Sequence, residues 1–335
     1  MRKHSPELAS ALHAVAEACI VTRLIQSDLD QIQQLTKNDR SPVTVADFAA
    51  QAIVGLRLTD DLGAVALVGE ETATDLRALK SDSLPRAITR SVRHIRPKIS
   101  DQAVLDAIDL GNHSAKATAY WTLDPVDGTK GFLRRGQYAV SLALIENGEV
   151  QLAVLGCPNL SSNFDRSFDD PDPIGCIYYA RLGEGAWFLP ANDIYREPTP
   201  INASTEINLD ALRVCESVET AHSKQSDTAR IIKYLKATSK PFRLDSQCKY
   251  AIVGRGQADA YLRFPTGVGY VEKIWDHAAG MLIAQEAGAV VTDMLGNPLD
   301  FSKGKTLSAN QGVVCTAPSI DSRIIESIKS LGIRP

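Results

Sequence analysis

The sequence lacks several features that mark whole classes of protein. Its six cysteines are scattered and form no C-x-x-C pair, so the spacings of structural zinc sites and thiol redox sites are missing. The six histidines show no H-x-x-x-H spacing, and no G-x-S-x-G motif is present. We therefore expect buried, reduced cysteines, as in a cytosolic-type compartment, and neither a zinc site nor a serine hydrolase elbow.

Excess positive charge and long apolar runs are also missing. The chain has 36 basic and 40 acidic residues, a net charge of −4 and an isoelectric point near 5.9. Proteins that coat nucleic acids are usually basic, so such a role is not expected. No apolar run approaches the roughly 20 residues of a membrane span, and the polar N-terminus does not resemble a secretory signal. We expect a cytoplasmic monomer that binds neither nucleic acid nor membrane, with import into an organelle left open.

The remaining patterns indicate two globular units. At about 150 residues per domain, the 335 residues correspond to about two domains. Helical spacing in the first part gives way to β-like runs between residues 119 and 189. A polar stretch at 192–206 precedes alternating strands and helices. These patterns predict an α+β domain over residues 1–195 and a layered α/β domain over residues 200–335.

Local patterns predict individual elements. Asn147-Gly148 between two β-like runs predicts a tight hairpin. The stretch 72–117 looks polar and irregular apart from one helix near residues 100–110. A helix is predicted over residues 246–255, which would place Ser246 and Lys249 on one helix face.

Five acidic residues stand at the ends of predicted elements. The D-P-V-D-G-T run at 124–129 is the most informative, because Pro125 restricts the backbone and Gly128 permits a tight turn. Oxygen ligands suit hard cations such as Mg²⁺, and an adjacent helix start suits phosphate. Asp-Pro and Asp-Gly are also ordinary turn pairs, so spacing alone leaves a purely structural reading open. The five residues are Asp47, Glu70, Asp124, Asp127 and Asp276.

Longer motifs point to a family. The G-E-E turn at 69–71, the run at 124–129 and the W-D pair at 275–276 resemble the inositol monophosphatase superfamily of Mg²⁺-dependent, lithium-sensitive phosphatases. The resemblance implies an αβαβα sandwich with two subdomains. Further motifs resemble the bisphosphate nucleotidase branch: S-P-V-T-V-A-D at 41–47, K-G-F-L-R-R-G-Q-Y-A-V at 130–140, D-S-Q-C-K-Y at 245–250, Y-L-R-F-P at 261–265 and E-K-I-W-D-H-A-A-G at 272–280.

The resemblance implies a metal site and a catalytic pair. Two or three Mg²⁺ ions would be bound, and Li⁺ and Na⁺ would inhibit. Asp47 and the Thr129 hydroxyl would orient and deprotonate the attacking water. The implied metal ligands are Glu70, Asp124, the Val126 carbonyl, Asp127 and Asp276, with Asp47 at a third, weaker site.

The resemblance also implies a substrate. It is 3′-phosphoadenosine 5′-phosphate (PAP), hydrolysed at the 3′-phosphate, with its sulfated form (PAPS) and 2′-phosphates also accepted, in the setting of sulfate assimilation. Two alternatives are an inositol phosphate phosphatase with the same metal chemistry and a non-catalytic PAP sensor, against which the complete carboxylate set argues. The implied substrate residues are Gly128, Thr129, His222, Ser246, Lys249, Arg263 and Asp276.

Overall fold

The computed structural model describes residues 4–30, 42–77, 82–219, 225–265, 267 and 269–334. Helices α1 to α10 span Pro6–Ser27, Pro42–Leu62, Thr74–Arg77, Ser83–Val92, Asp101–Asp109, Thr129–Leu133, Gln225–Tyr234, Cys248–Gly254, Ala278–Glu286 and Asp321–Ser330. Strands β1 to β12 span Leu67–Gly69, Ala119–Asp127, Ala139–Glu146, Glu149–Cys157, Cys176–Arg181, Ala186–Pro190, Thr199–Pro200, Val214–Glu216, Phe242–Arg243, Ala260–Arg263, Val290–Thr292 and Val313–Thr316.

Five layers are stacked on one another. Strands β1 to β7 form one sheet in chain order, and a second sheet has the order β11-β12-β10-β8-β9. Helices α1 and α2 pack on the outer face of the first sheet, while α8 and α9 fill the space between the sheets. Helices α7 and α10 cover the outer face of the second sheet. The αβαβα sandwich implied by the resemblance is therefore confirmed.

The first sheet is buried on both faces. In β5, Ile177 and Tyr179 pack toward α1 and α2, whereas Tyr178 and Ala180 pack toward α8 and α9. Successive side chains of a strand point to opposite faces, so a sheet between two helical layers needs apolar residues at every position. The continuous apolar runs of the central strands follow from this placement.

Of two local predictions, the structure confirms the hairpin and contradicts the single helix within residues 72–117. The hairpin is confirmed: Asn147 and Gly148 connect β3 to β4 with φ values of 53° and 79°. The prediction of a single helix within 72–117 is wrong, because α3 and α4 also form there. Leu84 and Ile88 of α4 recur at four-residue spacing and pack against α2 and α5. Pro85 obscured this pattern, although proline is tolerated in a first helical turn.

Helix α1 is more apolar than the sequence analysis anticipated. By length and composition alone this helix of 22 residues could cross a membrane, but 67% of its most apolar window is buried inside the protein. It packs against α2, β3 and β4, which accounts for its composition. All six cysteines are free and buried, as predicted.

The two sheets share one hydrophobic core. Tyr178 of the first sheet, Met281 of α9 and Cys315 of the second sheet belong to the same buried cluster. The proposed boundary near residues 195–200 falls at β7, the last strand of the first sheet, and the two sheets pack on common helices. The division into domains 1–195 and 200–335 remains a prediction.

Candidate active site

Strand pairing brings the first carboxylates together. Strands β1 and β2 are parallel, and Gly69 is opposite Leu123. Glu70 follows β1 directly and Asp124 is the next residue of β2, where it still pairs with Ser141 of β3, so the two carboxyl groups lie side by side. The register between β2 and β3 then shifts between Asp124 and Asp127. An irregularity of this kind re-aims side chains at the end of a strand, and Asp127 joins the same cleft.

The turn after β2 needs a glycine. Gly128 has a φ of 90°, and a Cβ atom there would lie 2.9 Å from the Cβ of Ser246. The chain then enters α6 at Thr129, as predicted. Gly128 therefore allows the turn after β2 to approach the segment before α8 directly.

One cleft of about 300 Å³ collects most of the predicted site residues. It lies between the ends of β1 and β2 on one side and α8 and β10 on the other. Four further residues, Lys130, Ser217, Asp245 and Tyr270, also line it. His222 lies outside the described residues. The predicted residues that line the cleft are Glu70, Asp124, Val126, Asp127, Gly128, Thr129, Ser246, Lys249, Arg263 and Asp276.

The carboxylates raise one another's pKa values. Burial is the largest cause, and the pKa of Asp124 is raised well above its usual range by burial and then by the charge of Glu70. The pKa of Glu70, which keeps some contact with solvent in the cleft, is raised to about 8 by desolvation and then by the charge of Asp276. Burial and then the charges of Glu71 and Glu70 raise the pKa of Asp47 in α2.

This cluster fits a hard cation. The Oδ1 atom of Asp124 is buried and accepts no hydrogen bond among the described residues. An unpartnered buried carboxylate oxygen is costly unless a cation neutralises it. The donors are carboxylates and a carbonyl, which suit Mg²⁺-like ions. The cluster could therefore bind metal.

Asp276 has a second set of neighbours. Glu272, Asp276 and His277 each offer a ligand atom, all within 4.8 Å of one another. Both carboxylate oxygens of Glu272 already have partners in the protein. They accept from Arg263, and one of them also accepts from His277 Nε2 at 3.2 Å. Tyr250 shares a hydrogen bond of 2.8 Å with the other ring nitrogen of His277. These contacts fix His277, the residue that follows Asp276.

The basic side of the cleft differs from expectation in two respects. Arg263, an implied substrate residue, directs Nε and Nη2 to Glu272 at 2.8 and 2.7 Å, so a carboxylate of the protein already accepts from both atoms. Ser246 precedes α8 with a φ of 69°, so the predicted shared helix face with Lys249 is wrong. Both residues nevertheless line the cleft.

Lys249 is an unusual cation. It is 2% exposed, and its Nζ atom donates to the Leu244 carbonyl at 3.0 Å and lies 5.1 Å from the Tyr261 ring centroid. Burial lowers its pKa. An ammonium group held by a carbonyl and a ring at a cleft wall can attract an anion.

Two buried glutamines that were not predicted from the sequence contact residues of the site or their neighbours. Gln51 of α2 accepts from the Glu71 N–H at 3.1 Å and donates to the Glu71 and Ile108 carbonyls at 2.7 and 2.8 Å. Gln247 donates its backbone N–H to Asp127 Oδ2 at 2.5 Å. Gln247 stands inside the quoted motif at 245–250, whereas no local pattern singled out Gln51.

Comparison with known proteins agrees with this geometry. The family model described as inositol monophosphatase family matches residues 7–332. A 3′(2′),5′-bisphosphate nucleotidase from Schizosaccharomyces pombe is 39% identical, over 95% of this chain and 93% of the relative. A 3′,5′-bisphosphate nucleotidase 2 from Arabidopsis thaliana is 38% identical, over 97% and 96%. These relatives confirm the prediction of a phosphoric monoester hydrolase.

Solved structures share the fold. CysQ from Bacteroides thetaiotaomicron, a bacterial member of the inositol monophosphatase family, superimposes with a TM-score of 0.62 at 20% identity, over 93% of this chain and 97% of its own. An inositol monophosphatase from Anabaena gives 0.60 at 19% identity, over 96% and 94%. The resemblance read from the motifs is confirmed, and this chain belongs to the inositol monophosphatase family.

Proposed function

We propose that the chain is a Mg²⁺-dependent phosphatase that removes the 3′-phosphate of PAP, giving AMP and phosphate. The observation that carries this proposal is one cleft with acidic groups at the ends of β1 and β2 and a buried Lys249 on the opposite wall. The names of the two curated relatives support a nucleoside bisphosphate as substrate. PAPS and 2′-phosphate analogues would be further substrates.

The metal ligands of the proposal come from three elements. Glu70 follows β1, Asp124 lies in the last part of β2 and Asp127 ends it, and Asp276 precedes α9. The Val126 carbonyl would be a further ligand, and Asp47 would serve a weaker third site. Bound Mg²⁺ would neutralise the cluster, lower the pKa of a bound water and stabilise charge on the phosphate oxygens. Li⁺, and Na⁺ more weakly, would compete for these positions.

The remaining groups would handle water and phosphate. Asp47 is buried and its pKa is raised, which suits a group that holds or takes a proton. The exposed Thr129 hydroxyl at the start of α6 would orient the attacking water with it. Backbone N–H groups at the turn from Gly128 to Lys130 would face the departing phosphate oxygens.

The opposite wall would bind the rest of the nucleotide. Lys249 would meet the 5′-phosphate, and Ser246 would donate or accept at the ribose or phosphate. Arg263 would contribute through its remaining N–H groups, because Nε and Nη2 already serve Glu272. Asp276 stands between the metal cluster and this wall, 3.8 Å from Arg263 Nη2. His222 would complete the nucleotide site.

A direct test compares substrates. Phosphate release is measured in Mg²⁺ from PAP and from inositol 1-phosphate, each with and without Li⁺. The proposal predicts preferred release from PAP and suppression by Li⁺. Preference for inositol 1-phosphate would retain the metal cluster but contradict the nucleotide roles of His222, Ser246, Lys249 and Arg263. Binding of PAP without phosphate release would instead identify a sensor.

The setting of the activity is also proposed. We infer a cytoplasmic monomer that acts on small nucleotides without nucleic acid or membrane partners, in agreement with the net charge of −4. Sedimentation analysis of the purified protein with and without PAP measures the oligomeric state. A stable dimer would contradict the inference of a monomer.

A further inference from the structure

The two sides of the carboxylate cluster belong to different layers of the molecule. Asp127 ends β2 in the first sheet, whereas Asp276 ends the 3-10 turn Ile274–Asp276 before α9. A site that binds an ion between them needs its ligands held to within about 0.5 Å. The chain therefore needs a contact that fixes one side relative to the other.

Gln247 reaches both sides. Its backbone N–H donates to Asp127 Oδ2 at 2.5 Å. Its side-chain Nε2 donates at 2.8 Å to the carbonyl of Trp275, the residue before Asp276. Its Oε1 accepts at 3.0 Å from the N–H of Gly280 in α9. One residue thus links the end of β2 to the turn that presents Asp276.

The surroundings make these bonds effective. Gln247 is 2% exposed, so water does not compete with its hydrogen bonds. The φ of 69° at Ser246 reverses the backbone just before it and precedes the N–H group that meets Asp127. The Trp275 carbonyl also accepts from Ser141 Oγ of β3 at 3.3 Å. The turn before α9 is therefore held against both α8 and the first sheet.

We propose that Gln247 is a positioning residue that fixes the separation of Asp127 and Asp276 and so sets the affinity of the cleft for a divalent cation. The inference rests on the proposed function, because it takes both carboxylates to be metal ligands. Gln247 itself acts only through these neighbours. Removing an outer contact of a metal ligand typically lowers metal affinity about 10- to 100-fold.

The test replaces the amide by a side chain of similar size. Gln247→Met removes the bonds to the Trp275 carbonyl and the Gly280 N–H. Gln137→Met is the matched control, because Gln137 is also buried and its amide donates to the Asn159 and Phe168 carbonyls at 3.0 and 2.9 Å, outside the cleft lining. Both variants lose two side-chain hydrogen bonds, so both are expected to lower the melting temperature.

Titration calorimetry with MgCl₂ on substrate-free protein is the readout. We expect Gln247→Met to weaken Mg²⁺ binding about 10-fold or more, and Gln137→Met to leave it within about 2-fold. Equal affinities in the two variants would overturn the inference. Gln247→Asn, which keeps an amide of shorter reach, is judged by the same criterion if the Met variant does not fold. Absence of Mg²⁺ binding by the unmodified protein would contradict the proposed function itself, and this inference with it.

Discussion

At the residue scale, Asp124 combines burial with an unpartnered oxygen. It is 3% exposed, and its pKa is raised by burial and by Glu70. In metal-free protein Asp124→Asn removes this repulsion, so we expect the free energy of unfolding to rise by about 1–3 kcal/mol. Phosphatase activity should fall more than about 100-fold, since a metal site supplies several kcal/mol of transition-state stabilisation. Urea unfolding in EDTA and phosphate release in Mg²⁺ measure the two effects.

Asp259→Asn is the control for that experiment. Asp259 is equally buried, but it accepts from the Arg213 backbone N–H and Nε at 2.8 and 3.1 Å. Its replacement should lower stability, because it removes one partner of a charge pair. If Asp124→Asn also lowers the free energy of unfolding, the negative charge of Asp124 must have a stabilising partner in the metal-free protein, which would contradict the account.

Glu70 gives the metal-free protein a pH dependence. Its pKa is about 8 in the folded protein against an ordinary value of 4.5. Because the folded pKa is raised, the stabilisation is fully present below pH 4.5 and is lost as the pH rises to about 8. Glu219 and Glu272 have pKa values lowered to about 2, so they change the stability only below about pH 4.5. Urea unfolding in EDTA should therefore show stability falling from pH 5 to pH 8.

Mg²⁺ should reverse this trend. Cations and protons compete for the same oxygens, so saturating Mg²⁺ should remove the slope, and Mg²⁺ affinity should rise with pH. Stability in EDTA that stays flat between pH 5 and pH 8 would contradict raised pKa values for Glu70 and the neighbouring acids Asp124 and Asp276.

At the element scale, Gln51 joins α2 to the turn after β1. Its amide makes three hydrogen bonds to the Glu71 and Ile108 backbone, and it is fully buried. We expect Gln51→Met to lower the free energy of unfolding by about 2–3 kcal/mol, because buried backbone groups lose their partners. Urea denaturation provides the measurement. Gln151→Met, whose amide donates to the exposed Glu149 in β4, should change the free energy of unfolding by less than about 0.5 kcal/mol. Equal effects would contradict the role of Gln51.

The elements also show what a sequence reveals. The turn at Gly128 and the hairpin at Gly148 were predictable, because few residues other than glycine adopt a positive φ and each glycine follows a β-like run. The acidic residues of the cleft were recognisable through motifs of adjacent residues. The contacts of Gln51 and Gln247 were not, because they join segments far apart in the chain. The pairing of Arg263 with Glu272 was missed for a related reason, since only the fold shows which acid an arginine faces.

At the scale of the whole molecule, α9 links the two sheets. It packs against β3, β4 and β5 of the first sheet and against β11 of the second. We expect one cooperative unfolding transition, with equal calorimetric and van't Hoff enthalpies. Ile283→Ala, at a fully buried position of α9, should lower stability by about 2–5 kcal/mol while keeping a single transition. Two resolved transitions in scanning calorimetry would show that the sheets fold independently.

The central claim concerns which phosphate leaves the substrate. Phosphorus NMR of PAP during turnover in Mg²⁺ follows the 3′- and 5′-phosphates as separate signals. The account predicts loss of the 3′-phosphate signal, growth of inorganic phosphate and an unchanged 5′-phosphate, with no turnover in EDTA. Release of the 5′-phosphate, or equal turnover in EDTA, would contradict it.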